Sequence, residues 1–317
     1  MNAYIIGIDV GGTKTAVVLG SLTGTIKWRT QFATSPDRGF GSTFEELCAH
    51  VGEARKQADA DVVAISVSIG GPLDVLKGII RNPPHLPGWD NIPLKRLLAD
   101  RSGLPVYVEH DGNAGALAEF YFGAGRGFSN IIFLTMGTGF GAGLILGGRL
   151  YRGTTDVAGE VGHVRIAEDG PLCYGKRGSL EGFASGTGIA LLAREMFPDL
   201  YGERTTTSQL YEAYRAGEPE AAEVFGRASF YLGRGFALMA DTLNPERIIL
   251  GGLGMRIFDA LVEPALKVFE AEALPQAREA CRIVPAQLGE SIGDFASLCA
   301  ALDQGGLAQV MQRTDLR

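Results

Sequence analysis

The chain has 317 residues, room for two domains of ordinary size. Its 29 Lys and Arg against 36 Asp and Glu leave a net charge of −7, which argues against a nucleic-acid or anionic membrane-surface partner, since both need a basic face. Apolar residues make up 46% and charged residues 21%, enough to bury a core and too ordered a composition for a disordered chain. The 45 glycines are about twice the usual share and fall in short runs with no triplet period, which rules out collagen and points to tight turns. Four cysteines, Cys48, Cys173, Cys281 and Cys299, are too few for a disulfide scaffold. Met1 to Gly7 lacks a signal-peptide layout and no apolar run is long enough to span a bilayer, so a cytoplasmic protein is expected.

In chain order, Tyr4 to Val10 is an apolar run ending in an acid and suits a buried strand. Gly11-Gly12-Thr13-Lys14 turns the chain into a second strand, Thr15 to Gly20, and Thr25 to Ala33 supplies a third. Ser42 with Glu45 three residues on has the pattern of a capping box, followed by apolar residues at helical spacing. Strands are expected at Asp61–Ile69 and Pro105–Glu109, with helices at Leu94–Arg101 and Asn113–Phe122. Asn130 to Met136 then repeats the opening: aligning Gly11 with Gly137 lays Ala16-Val17-Val18-Leu19-Gly20 over Ala142-Gly143-Leu144-Ile145-Leu146. A duplicated α/β unit implies two similar lobes with an interlobe cleft. The division expected is a small N-terminal lobe at 1–112 and a larger C-terminal lobe at 113–317, with a C-terminal helix at about 291–312 packing back on the small lobe. After Ser185 the chain reads as mainly helical, with one late strand, Arg247 to Leu250.

Three glycine sets and one acid carry the chemistry. In Asp9-Val10-Gly11-Gly12-Thr13-Lys14, glycine lets backbone N–H groups approach phosphate oxygens, and Thr13 and Lys14 add a hydroxyl and a cation. Asp9 could hold magnesium, and an ordinary hairpin is the plain alternative. Gly137-Thr138-Gly139 is the second such turn, and two copies facing across a cleft can grip a triphosphate. Gly251 and Gly252 follow a strand and either floor an adenosine pocket or simply turn into a helix. Asp111 stands just past a strand end and ahead of a helix, where it can receive a proton in phosphoryl transfer or simply cap the helix. Glu160 and His163 offer acceptors to a polyhydroxylated ligand.

With Asp9–Lys14, Glu109–Asn113, the second glycine turn and Gly159–His163 in that order, the sequence resembles the ROK family of sugar kinases and regulators, from Ile5 to about Ala301. The resemblance implies the actin/hexokinase-like ATPase fold, an α/β architecture, with ATP and Mg²⁺ as cofactors and a small-molecule sugar as substrate. It makes Asp111 the general base. Gly71, Asn82, His110, Glu160, His163 and Glu181 would meet the sugar, with Trp89 bordering that site, and Asp9, Thr13, Lys14, Thr138, Gly139 and Gly252 the nucleotide. A homodimer or homotetramer without nucleic-acid or membrane partners is implied. The regulators of this family carry an added DNA-binding module, for which no room is expected before Asp9. The family usually has Asn where His110 stands. Its zinc pattern C-x-C-G-x-x-G-C-x-E keeps Cys173 and Glu181 but has Tyr174 and Ser179 at the other two cysteines. Only His163 and Cys173 of the ligand set remain, so no structural zinc is expected.

Overall fold

The structure, a computed structural model, describes residues 3–34, 39–83 and 85–307. Its first strand, β1 (Ala3–Val10), is apolar on both faces because it runs mid-sheet, covered on either side. The Gly11–Thr13 turn leads to antiparallel β2 (Lys14–Ser21), and β3 (Ile26–Ala33), polar at alternate positions, forms the edge. Helix α1 (Gly39–Lys56) precedes β4 (Asp61–Ile69), which lies parallel to β1. A short hairpin, β5 (Leu73–Asp74) with β6 (Ile79–Ile80), and α2 (Leu94–Ser102) lead to β7 (Val106–His110), parallel to β4, and to α3 (Asp111–Phe122). The sheet order is β3-β2-β1-β4-β7. Ser42 lies inside α1, so the expected helix start is corrected: the first turn includes Gly39 and Gly41 against local propensity. Thr43 Oγ1 donates to the Thr34 carbonyl at 2.9 Å and ties that turn to the end of β3.

The second half opens alike. β8 (Ile131–Met136) pairs antiparallel with β9 (Phe140–Leu146), which pairs with β10 (Arg149–Leu150). The hairpin β11 (Leu172–Cys173)–β12 (Lys176–Arg177) is followed by α4 (Leu180–Ala184), α5 (Gly186–Met196), α6 (Thr207–Arg215) and the 25-residue α7 (Pro219–Leu243). β13 (Arg247–Leu250) lies parallel to β8, and α8 (Leu253–Arg256), α9 (Glu263–Glu272) and α10 (Pro275–Ala280) lead to β14 (Arg282–Pro285), parallel to β13. The order β10-β9-β8-β13-β14 repeats the first sheet strand for strand. The duplication read from Gly11 and Gly137 is thus a duplication of topology. α11 (Ile292–Gln304) follows.

The chain divides into two compact units, Met1–Gly123 with Glu290–Arg317, and Ala124–Gly289. The division falls after Gly123 and not after residue 112, because α3 continues directly from β7 and packs against α11. In the first unit α11 also covers β1 and β4, so closely that Leu298 methyls stand 3.0 and 2.5 Å from where Cβ atoms at Gly7 and Gly20 would be. Residues 308–312 of the expected C-terminal helix lie outside the described residues. Each unit has its own core, around Ile8, Leu47 and Val67 in the first and Phe183, Phe225 and Phe236 in the second.

Candidate active site

In the first unit, strand ends deliver the polar groups. Asp9 leaves β1 against Gly293 of α11, where a Cβ would stand 2.6 Å from its Oδ2. Burial pushes its pKa up to about 6, a hydrogen bond from Ser68 eases this, Asp111 and Asp294 add repulsion, and Lys14 relieves some of it. Asp294 is already paired, both its oxygens 2.9 Å from Arg29 Nε. The turn after Asp9 is closed by Gly11 N–H donating to the Lys14 carbonyl at 3.0 Å, and Thr34 Oγ1 holds the Gly11 carbonyl at 2.7 Å. Thr13 and Lys14 are exposed.

β7 ends in His110, and Asp111 is the first residue of α3, its side chain 55% exposed. Its Oδ1 accepts from the Gly112 N–H at 2.7 Å and lies 3.0 Å from His110 Nδ1, which must carry the proton because a carboxylate only accepts. Partial burial pulls the Asp111 pKa up, but the His110 bond and charge, the Gly112 N–H and His85 outweigh it and hold the acid below its usual value. Asp111 is therefore ionised at neutral pH, with Oδ2 on the side of Gly70. Behind it, buried Glu109 accepts from the His110 N–H (3.0 Å) and Asn113 Nδ2 (3.1 Å) on one oxygen, and from Gln304 Nε2 (3.2 Å) on the other. This anchor had a sequence signal, an acid inside the apolar strand Val106–His110, but no role could be read from it.

Gly71 has no room for a side chain, since His110 Cδ2 and Nε2 stand 2.7 Å from a Cβ there. Arg81 N–H donates to the Pro72 carbonyl at 2.9 Å, bringing Asn82, exposed and at φ +44°, into the same loop. Trp89 is a correction: it is 1% exposed and packs edge-on against Phe40, so it belongs to the core beneath this loop.

In the second unit, the Gly137–Gly139 turn is pinned to the start of α5. Gly186 and Thr187 N–H groups donate to the Gly137 and Thr138 carbonyls at 2.8 and 3.3 Å. Gly251 donates to the Leu134 carbonyl at 2.9 Å, and Gly252, at φ +57°, lies so near Met136 that a Cβ would meet its carbonyl at 2.2 Å. A cavity of about 500 Å³ opens beside these turns, lined among others by Thr138, Thr187, Arg194, Thr207, Leu253 and Arg256. Thr138 was expected from the sequence; Thr187, Arg194, Thr207, Leu253 and Arg256 are scattered along the chain and were not legible in it.

Glu181 is buried in α4, and its Oε2 accepts from the Phe140 N–H at 2.9 Å, next to Gly139. Ser179, at a cysteine position of the family's zinc pattern, accepts from the Gly182 N–H and caps the helix that carries Glu181. Val161–His163 forms a single 3₁₀ turn, with His163 Nε2 3.8 Å from Glu160 Oε2. Tyr174 lays its ring 4.8 Å from that of His163, and Lys176 donates to the His163 carbonyl. His163 is thus fixed by a ring and a backbone contact, with Glu160 outside hydrogen-bonding reach. Burial, then Glu181 and Glu195, raise the Cys173 thiol pKa.

The model of the ROK family matches residues 5–301. A glucokinase of Halalkalibacterium halodurans is 32% identical over 92% of this chain and 93% of its own length. A xylose repressor of Bacillus spizizenii is 30% identical over 91% of this chain and 74% of the repressor. Among solved structures, a ROK hexokinase from Thermus thermophilus superposes with a TM-score of 0.83 at 31% identity, covering 96% of this chain and 99% of that one. A ROK glucokinase from Streptomyces griseus, solved with glucose and AMPPNP, gives 0.75 at 32% identity, covering 95% and 99%. With matching topology in both sheets and a family model spanning nearly all of its length, the chain belongs to the ROK family and has the actin/hexokinase-like ATPase fold.

Proposed function

We propose that the protein is an ATP-dependent kinase of a hexose or N-acetyl-hexosamine. The observation that carries this reading is Asp111: an ionised, half-exposed carboxylate with Oδ1 held by two donors and Oδ2, which has no hydrogen-bond partner among the described residues, placed to take a proton. A pure binding protein has no need of a carboxylate so poised. In the reaction a sugar hydroxyl oxygen bonds to the γ-phosphorus of ATP, its proton passes to Asp111 Oδ2, and ADP leaves with the former bridging oxygen. Gly71, Asn82, His110, Glu160, His163 and Glu181 are the residues that would meet the sugar hydroxyls.

The residues present suit the donor. Thr13 and Lys14 of one turn are exposed for phosphate contact, as are Gly137 and Thr138 of the other, and the cavity lined by Thr138, Thr187 and Leu253, just past Gly251 and Gly252 in the chain, has room for an adenosine. Gly11, Gly12 and Gly139 keep the turns clear of side chains. Asp9, repelled by two carboxylates and partly relieved by one lysine, has the surplus of negative charge that a magnesium ion offsets. Magnesium, when bound, neutralises charge on the transferring phosphates.

A coupled ADP-release assay over glucose, mannose, fructose, allose, N-acetylglucosamine and N-acetylmannosamine tests the reading. Sugar-dependent ADP release from the wild type, lost in Asp111→Asn, is expected. No release with any of these sugars would favour a sugar-responsive regulator, the role named for the xylose repressor that matches the chain.

A further inference from the structure

Two imidazoles occupy the space that two adjacent glycines leave open. His85 Nε2 stands 2.5 Å from where a Cβ at Gly70 would be, and His110 Nε2 stands 2.7 Å from one at Gly71. Asp111 Oδ2 lies 3.5 Å from that same Gly70 position. His85 Nε2 and Asp111 Oδ2 therefore border one space, while Oδ1 is occupied by His110 and Gly112. The His85 backbone is held in register with the phosphate turn, its carbonyl 2.9 Å from a Cβ placed at Gly12. The loop that carries it is pinned by Leu86 N–H on the Pro83 carbonyl and by Trp89 N–H on the Leu86 carbonyl, each at 3.1 Å. Its residue is exposed, so the ring is available to a ligand.

From this geometry we propose that His85 is a further substrate-contacting residue of the kinase, whose Nε2–H donates to the acceptor hydroxyl oxygen that Asp111 Oδ2 deprotonates. The inference rests on the kinase reading above. A hydroxyl oxygen has one proton and two lone pairs. The proton goes to Oδ2 and one lone pair forms the bond to phosphorus. The other accepts from His85, which fixes the rotation of the hydroxyl and so aims the attacking lone pair. His85 keeps its proton throughout, and its role is orientation of the reacting atom.

Because Nε2 is the working atom, a glutamine, whose amide nitrogen reaches as far, should serve where asparagine falls one methylene short. In the coupled assay on the best sugar, His85→Asn is expected to lower kcat by about 10- to 100-fold, the range that misplacing a reacting group costs. KM for ATP should change by less than about threefold, because the group serves the acceptor. His85→Gln should recover most of the loss. Sugar affinity, measured by calorimetry without ATP, should weaken in His85→Asn and return in His85→Gln. Wild-type rates within twofold in His85→Asn, or equal losses in both variants, would overturn the role of His85 alone. A wild type silent on every sugar, with sugar binding unchanged in His85→Asn, would overturn both this role and the kinase reading.

Discussion

Asp111 and His110 are neighbours in sequence with separable duties. Asparagine at position 111 keeps the size and still accepts from Gly112, but it cannot take a proton. Asp111→Asn should therefore lose about 10²–10⁴-fold in kcat with sugar affinity largely kept, measured by steady-state kinetics and calorimetry. Retention of more than about a tenth of wild-type kcat would remove Asp111 from the role of base. His110 presents Nε2 beside Gly71 while Nδ1 is committed to Asp111. With the proton on Nδ1, Nε2 is an acceptor on a rigid ring, whereas asparagine offers both an acceptor and donors on a shorter arm. His110→Asn should change the ratio of kcat/KM between glucose and the preferred sugar, and an unchanged ratio would mean the ring does not face the sugar. The place of Asp111 between a strand and a helix pointed to its duty and the family resemblance to that of His110, but which nitrogen meets which oxygen was not legible in the string His110-Asp111.

At the scale of elements, β1 delivers Asp9 into the start of α11, and the crowding there has a thermodynamic sign. Its pKa rises from an ordinary 3.8 to about 6, so between those values the folded state binds more protons than the unfolded one. Asp9 therefore favours folding below about pH 4, and that contribution is lost as pH rises through about 6, by at most about 3 kcal/mol. Metal-free Asp9→Asn should melt above the wild type at pH 7.5, with the gap closing toward pH 4, and should lose stabilisation by magnesium with nucleotide. A lower melting temperature for the variant at pH 7.5 would contradict this account. The β11–β12 hairpin makes a second case. Tyr174, 73% exposed and at φ +48°, lies against His163, and Ser179 caps α4. Packing and a cap hold a loop that the family resemblance associates with metal. Dialysed protein should carry well under one zinc per chain, and a zinc-selective chelator should leave turnover unchanged. Stoichiometric zinc on His163 and Cys173 would overturn the prediction.

For the whole chain, the telling feature is the return of α11 to the first unit, far in sequence from the strands it covers. Leu298 is fully buried on Gly7 and Gly20, which have no room to collapse into the gap a smaller side chain would leave. Leu298→Ala should destabilise the protein by about 2–5 kcal/mol, read from denaturant unfolding. It should also weaken nucleotide-dependent stabilisation, because the same helix packs against Asp9 through Gly293.

The duplicated order of strands and glycine turns was legible in the chain, because a strand buried on both faces must be continuously apolar and a turn near phosphate must be glycine. Gly11 over Gly137 sufficed to pair β1 and β2 with β8 and β9, and the order of acids after strand ends singled out Asp9 and Asp111. Those are local demands of backbone and solvent. What joined residues far apart was not legible. Gln304 reaches Glu109, Tyr174 covers His163 and His85 shares a space with Asp111, through packing between segments whose sequences carry no mark of one another. The start of α1 and the unit boundary after Gly123 were likewise decided by tertiary contacts, Thr43 on Thr34 and α3 on α11, which outweigh the local signals of a cap and a strand end.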